Sequence, residues 1–339
     1  LKKTRVLVVD DSAFARKIVR ESLSAHPELE VVGTASDGID ALEKIAEHKP
    51  DVVTLDLVMP NLDGLGVLKA LPLEQRRHVV IVSMADGDSE LAIAALSAGA
   101  FDLVHKPTAL AIDSLRDIAP ELVEKVLLAG QAGPPSASEP TEIVPLPALE
   151  MSERVVLIGT STGGPQALTR LLTALPRDFL APIVIVLHIP PGYTEAFAAR
   201  LDSECAIDVV EASEGLALRP GLAIVALAGM HLYLVSDGPS TRTHLDVAPV
   251  ASVHRPSVDV LFESAARTLG ARALGVVLTG MGDDGLRGAR AIVQAGGQVL
   301  TEAESSAVVY GMPRAVKEAG LSAAEVPLAR MAAEIAAWL

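Results

Sequence analysis

Residues 155–168 read VVLIGTSTGGPQAL. An apolar run, a turn of small residues and a further apolar-periodic segment predict a buried strand, a tight turn and the start of a helix. Two chemistries use that layout. A Gly-rich turn cradles a phosphate at the helix N-terminus. Alternatively, a serine at the tip of a sharp strand-to-helix turn is a nucleophile.

The phosphate reading fits poorly. GTSTGG stands where G-x-G-x-x-G would, but Ser161 replaces the middle glycine that lets the backbone approach a pyrophosphate. No acidic residue closes the next strand, which ends in His188, and Gly163–Gly164 is followed by Pro165 rather than a Walker lysine. The nucleophile reading fits better. Residues 159–163, GTSTG, satisfy G-x-S-x-G, and the glycines permit a turn that projects Ser161. A lone G-x-S-x-G is weak, because small residues are common in turns; a base and an orienting carboxylate are also needed. IVIVLHIPPG ends a strand in His188, and GVVLTGMGDDG runs out through Met281 to Asp283 and Asp284. A lone histidine there would be structural, and either aspartate alone a helix cap. Three strand ends delivering Ser, His and Asp to one edge favour an enzyme. The order Ser161…His188…Asp284 differs from the Ser…Asp…His order of α/β-hydrolases, so that fold does not follow from the motif.

Strand–helix alternation continues on both sides of this stretch. From Arg154 onward, RVVLIGT, APIVIVLHI, DVVEA, ALGVVLTGM and QVLTEAE read as strands separated by helical segments, with Ser257 a cap for SVDVLFESAARTLG. LAIVALAGMHLYLVSDGPSTRTHLDVA, with its DG turn, predicts an antiparallel hairpin. Ala129–Ser152 is rich in Pro, Ser, Gly and Ala and reads as a linker. The first 125 residues alternate again: RVLVVD, LEVVGTA, DVVTLD, HVVIVS and FDLVHK are unbroken apolar strands, as in a parallel sheet covered on both faces. The expected organisation is a domain over 1–125, a linker over 126–152 and a second domain over 153–339. Both domains are of the α/β class, the second doubly wound and mostly parallel with the hairpin added.

In a parallel sheet the ligand site lies outside the C-terminal strand ends. In the first domain those ends carry Asp10 and Asp11, then Asp56, Ser83 and Lys106. Converging carboxylates suit Mg²⁺, and a hydroxyl and an ammonium facing them suit a phosphoryl group. A single such aspartate would read as a helix cap.

Bulk composition excludes several classes. Residues 1–128 hold 14 basic and 21 acidic side chains and residues 129–339 hold 14 and 22, so neither half has the basic excess of a nucleic-acid binder. No apolar stretch approaches the ~18 residues that span a bilayer. The only cysteine, Cys205, allows no intramolecular disulfide, and a cytoplasmic location is expected. Cys205 has no cationic activator in its immediate sequence and is discounted as a nucleophile.

Residues 4–125, through VVDDS, TLDLVMPNLDGL, IVSM and HKP, resemble the flavodoxin-like receiver domain of bacterial response regulators. The resemblance implies that a histidine kinase phosphorylates Asp56. It also implies that Asp11, Asp56 and the Val58 carbonyl ligate Mg²⁺ while Asp10 holds the metal's water, and that Ser83 and Lys106 contact the phosphoryl oxygens. Leu103 departs from the pattern, standing where many receivers place an aromatic switch residue. Residues 154 to about 321, through GTSTGGPQAL, LHIPPGYT, HRPSVDVLFESAA, LTGMGDDG and AVVYGMPRAV, resemble the catalytic domain of the CheB family of chemotaxis protein-glutamate methylesterases. This implies Ser161 as nucleophile, His188 as base, Asp284 as orienting acid and the Met281 N–H as an oxyanion donor; the N–H of Thr162, next to Ser161 in the turn, is expected as a second donor. The implied substrates are γ-glutamyl methyl esters and glutamines of methyl-accepting chemoreceptors, and hydrolysis needs no cofactor. In this family the receiver covers the catalytic crevice. The family's GMGNDG is GMGDDG here, so Asp283 adds a second carboxylate beside the site; the register favours Asp284. His231 and His254 are expected to be structural or peripheral. The alternatives are a degenerate domain acting as a binding module, and a DNA-binding regulator, which the charge disfavours.

Overall fold

The structure is a computed structural model that describes residues 2–71, 78–84, 89–107, 117–132, 153–238 and 240–339. The chain divides into two compact units, Leu1–Ser138 and Glu139–Leu339.

The first unit runs β1 (Thr4–Val9), α1 (Ala13–Ser24), β2 (Leu29–Ala35), α2 (Gly38–His48), β3 (Val52–Leu55), α3 (Gly64–Ala70), β4 (His78–Ser83), α4 (Ser89–Ser97), β5 (Asp102–His105) and α5 (Ala119–Gln131). Its strands form one parallel sheet in the order β2-β1-β3-β4-β5. β3 is buried throughout and β1 and β4 nearly so, because helices cover both faces. Ser12, Asp37 and Asp63 accept backbone N–H groups at the starts of α1, α2 and α3, which explains why each helix begins there. The crossovers change direction between β1 and β3, so the crevice opens there.

The second unit runs β6 (Val155–Thr160), α6 (Gly164–Thr173), β7 (Ile183–Leu187), α7 (Thr194–Glu204), β8 (Asp208–Glu211), β9 (Leu222–Val225), β10 (His231–Asp237), β11 (Ser240–Asp246), α8 (Val258–Leu269), β12 (Ala273–Val277), α9 (Leu286–Gln294), β13 (Gln298–Glu302), α10 (Met312–Glu318), β14 (Ala324–Val326) and α11 (Leu328–Trp338). Seven strands form a parallel sheet in the order β14-β13-β12-β6-β7-β9-β8. The expected hairpin is present as β10–β11, an antiparallel pair outside that sheet. Valine, leucine and isoleucine fill the core, with Phe262 of α8 fully buried among them. The winding direction reverses between β6 and β12, which makes that edge the ligand-binding position of the fold.

Two boundaries and one strand differ from the sequence reading. The segment read as linker from 126 is helical to Gln131 in α5, and residues 133–152 lie outside the described residues. The strand read through Met281 ends at Val277, because Gly280 turns away to bond Val309, Gly311 and Met312. β14 was not expected: three residues at a sheet edge carry too little pattern to register.

Candidate active site

β6 and β7 are adjacent, and their register pairs Thr160 with Leu187. Ser161 and His188 are therefore the next residues out of neighbouring strands, and the His188 N–H donates to the Thr160 carbonyl at 3.0 Å. The turn after β6 is closed by Gly164 N–H donating to Ser161 O at 2.7 Å. Gly163 has φ +79°, and a Cβ on it would lie 2.7 Å from the Val308 side chain, so both conformation and space demand glycine there. On the other flank of β6, Ser161 N–H donates to the Thr279 carbonyl at 3.1 Å. This brings the segment after β12 alongside the serine.

Asp284 reaches the site from that segment. Its Oδ2 lies 2.8 Å from His188 Nε2. The other ring nitrogen, Nδ1, is buried and bonds no group among the described residues. In the chymotrypsin arrangement the carboxylate holds Nδ1; here it meets Nε2 instead. Asp284 also accepts the Ser257 hydroxyl at 2.8 Å, the Val258 N–H at 2.7 Å and the Asp259 N–H at 3.0 Å, all at the start of α8. Burial alone would raise its pKa. The His188 bond and charge and the α8 N–H groups outweigh burial and hold the carboxyl well below the usual range. Asp283, by contrast, is exposed, and its backbone carbonyl accepts Leu286 N–H at the start of α9.

The ring of His254 stacks on that of His188, centroids 4.1 Å apart and planes 16° from parallel. The sequence leads one to expect a structural or peripheral His254; nothing in HRPS says which ring its histidine will meet. Burial, then the neighbouring His188, lowers the His254 pKa. His231 is buried on β10, its Nε2 3.3 Å from the Pro249 carbonyl. Thr162 is buried beside Ser161. The Met281 N–H donates to no acceptor among the described residues. The Cys205 thiol is pushed up to about 11 by burial and then by Glu204 and Asp202, and is inert at neutral pH.

In the first unit the crevice holds the residues expected there. Asp10 and Asp56 are buried, Asp11 is exposed, and their carboxylates lie within 4.8 Å of one another. Lys106 Nζ donates to Asp10 Oδ2 and Asp56 Oδ2, each at 2.7 Å. Burial pushes the Asp10 carboxyl up. Burial also opposes the Lys106 charge, but the Asp56 and Asp10 carboxylates outweigh it and keep that pKa above its ordinary value. Asp56 Oδ1 accepts the Leu57 N–H at 2.7 Å, Val58 stands two residues beyond Asp56, and Ser83 closes β4 in the buried interior. Three converging carboxylates beside one ammonium are a hard oxygen donor set of the kind Mg²⁺ takes. Leu103 is buried on β5, and its carbonyl accepts Lys125 Nζ at 2.6 Å.

An acidic crevice at the switch point of a 2-1-3-4-5 sheet, joined in one chain to a doubly wound sheet presenting Ser, His and Asp, defines a response regulator with an enzymatic output unit. Residues 156–335 match the family model described as CheB methylesterase, and residues 6–117 match that of the response regulator receiver domain. The chain belongs to the CheB methylesterase family. It is 59% identical over 334 residues to protein-glutamate methylesterase/protein-glutamine glutaminase 5 of Myxococcus xanthus, covering 97% of this chain and 96% of that one. It is 44% identical over 343 residues to the protein-glutamate methylesterase/protein-glutamine glutaminase of Geobacillus kaustophilus, covering 99% and 98%. The crystal structure of the Thermotoga maritima CheB methylesterase catalytic domain aligns with a TM-score of 0.54 and 37% identity, over 56% of this chain and all of that one. No described helix is long and apolar enough to cross a membrane.

Proposed function

We propose that the chain is a phosphorylation-activated hydrolase that removes the γ-methyl ester from glutamates of chemoreceptor helices, releasing methanol, and deamidates receptor glutamines. Ser161 Oγ attacks the ester carbonyl. His188 takes the serine proton on Nδ1 and returns it to the departing methoxide. Asp284 holds the opposite ring nitrogen, fixes the tautomer and stabilises the imidazolium as it forms. The N–H groups of Met281 and Thr162 stabilise the oxyanion; one such donor is typically worth about 2.7–4 kcal/mol. Water activated by the same Nδ1 then cleaves the acyl-enzyme, restoring Ser161 and leaving glutamate. With a glutamine side chain, ammonia leaves in place of methanol.

The observation that carries this reading is the bond between His188 Nε2 and Asp284, one residue beyond the Thr160–Leu187 pair that sets Ser161 and His188 side by side.

Control enters through the receiver. Asp56 takes the phosphoryl group from a histidine kinase of the chemotaxis type, and Ser83 and Lys106 contact its oxygens. Asp10, Asp11, Asp56 and the Val58 carbonyl would hold Mg²⁺, directly or through water, and the ion supplies charge neutralisation for phosphoryl transfer. The proposed setting is the cytoplasm, with no nucleic-acid partner and no membrane insertion. The test is methanol release from methylated receptor membranes, with and without a small phosphodonor. Release that rises with phosphodonor is expected; a folded protein that releases no methanol in either condition would point to a binding module instead.

A further inference from the structure

Glu302, the last residue of β13, is fully buried, and among the described carboxylates of the second unit it alone is so. A buried acid is tolerated only where its oxygens are hydrogen-bonded. Glu302 Oε2 accepts the Thr279 N–H at 2.8 Å, and Oε1 accepts the Ser306 hydroxyl at 2.9 Å. The Ser306 oxygen in turn accepts the Leu328 N–H at 2.9 Å, which ties the carboxyl to the start of α11.

Thr279 uses every polar atom it has. Its carbonyl accepts the Ser161 N–H at 3.1 Å and the Thr160 hydroxyl at 2.7 Å. Its hydroxyl donates to the Thr162 carbonyl at 2.9 Å and accepts the Val309 N–H at 2.9 Å. One residue therefore joins the serine turn, the 309–312 loop and the segment leading to Met281. The backbone is packed tightly here: a Cβ on Gly280 would come within 2.9 Å of Ser161 Cβ and 2.4 Å of Met312 Sδ. Of all these bonds, only the one from the Thr279 N–H ends on an ionisable side chain, and that side chain is anchored in the core.

We infer that Glu302 is a positioning residue for the ester-cleaving site: by holding the Thr279 N–H it sets the distance between the Ser161 turn and the Met281 oxyanion donor. The inference rests on the proposed role of Ser161. Glu302 touches neither substrate nor reacting atoms and acts through Thr279. Removing it leaves a buried N–H without an acceptor, and the cheapest relief is a shift of the 279–281 segment. A shift of about 1 Å in such a site costs on the order of 10²-fold in rate. Glutamine keeps the acceptor and places its amide on Ser306, so the conservative replacement should preserve the geometry.

The experiment compares full-length wild type with Glu302→Gln, Glu302→Leu, Ser306→Ala and Ser161→Ala. Steady-state methanol release from methylated receptors is normalised to the number of serines labelled at endpoint by a fluorophosphonate, and folding is followed by circular dichroism. The expected result is a kcat per labelled site that falls about 10- to 100-fold in Glu302→Leu with little change in KM, and stays within about threefold of wild type in Glu302→Gln. A merely structural role would lower the number of labelled sites and leave kcat per site unchanged. A folded Glu302→Leu with wild-type kcat per site overturns the inference, as does a Gln variant as slow as the Leu variant. Should Glu302→Leu not fold, Ser306→Ala decides: a lowered kcat per site supports the inference and an unchanged one overturns it. Methanol release by folded Ser161→Ala within about tenfold of wild type overturns the underlying reading of the serine. An inactive Ser161→Ala beside a fully active Glu302→Leu overturns only the positioning role.

Discussion

Asp284 and Asp259 cap each other's helices. Asp284 accepts the N–H groups of Val258 and Asp259 at the start of α8, at 2.7 and 3.0 Å. Asp259 Oδ1 accepts the N–H groups of Gly285 and Gly288 at the start of α9, at 3.0 and 2.7 Å. The reciprocal pair locks the loop that carries Asp284 against α8, so the carboxylate that meets His188 is held rigidly from behind. It also places negative charge at two helix N-termini, where the backbone dipoles favour it. The carboxylate facing His188 is thus a structural group as well as the hydrogen-bond partner of the ring.

That double duty separates the two neighbouring aspartates. Asp284→Asn should lower the rate of methanol release by about 10²–10⁴-fold, because the amide no longer enforces the tautomer. Asp283→Asn, at an exposed position, should stay within about twofold of wild type. Steady-state rates on methylated receptor measure both; the reverse ranking would assign the orienting acid to Asp283.

Ser161→Ala should abolish hydrolysis, by about 10³-fold or more, while the protein remains folded. The turn is fixed by backbone bonds and by Gly163, and the alanine methyl occupies space the serine already filled. Methanol release together with circular dichroism checks this, and a folded alanine variant with substantial turnover would falsify the nucleophile.

Asp284 and Glu302 should push stability in opposite directions with pH. The Asp284 pKa is depressed in the folded protein, so its contribution is fully present above the unfolded value of about 3.9 and is lost as the pH falls toward the folded value. The stability advantage of wild type over Asp284→Asn should therefore shrink below about pH 4. Burial, only partly offset by the Thr279 and Ser306 bonds and the charge of Arg170, raises the Glu302 pKa. The folded protein then holds that proton more tightly than the unfolded chain, and the associated stability is lost as the pH rises above about 4.3 and through the folded value. Glu302→Gln should gain on wild type as the pH rises above about 4.3. Thermal midpoints of the three proteins across pH 3–8 test both slopes.

Phosphorylation should relieve inhibition by the receiver. A fragment beginning at Met151 is expected to hydrolyse methylated receptor faster than the unphosphorylated full chain, and Asp56→Asn is expected to lose stimulation by a phosphodonor. A tenfold activation needs about 1.4 kcal/mol of differential stabilisation between inhibited and active states. Initial rates at matched concentration give the comparison; a folded but slower fragment would show that the receiver supports the site.

Asp10, Asp56, Ser83, Lys106, Ser161 and His188 were all legible in the chain because each immediately follows or closes an apolar strand. In a parallel sheet the strand ends are where ligands meet the fold, so a local pattern places such residues without knowledge of distant contacts. Ser257 was legible as a cap because a serine stands directly before an apolar-periodic segment.

Tertiary structure alone decided the rest. The family register favours Asp284 over Asp283, but the physical reason that Asp284 stays on His188, three donors at the start of α8, lies 25 to 27 residues earlier in the chain and shows only in the fold. Which imidazole nitrogen faces the carboxylate depends on the angle at which two loops approach. The stacking of His254, the hub at Thr279 and the bond from Thr279 to the buried carboxyl of Glu302 rest on contacts 23 to 119 residues apart in sequence, between segments whose local composition is ordinary. Periodicity reports which face of an element is buried; it carries nothing about which polar atoms will meet once those faces have packed.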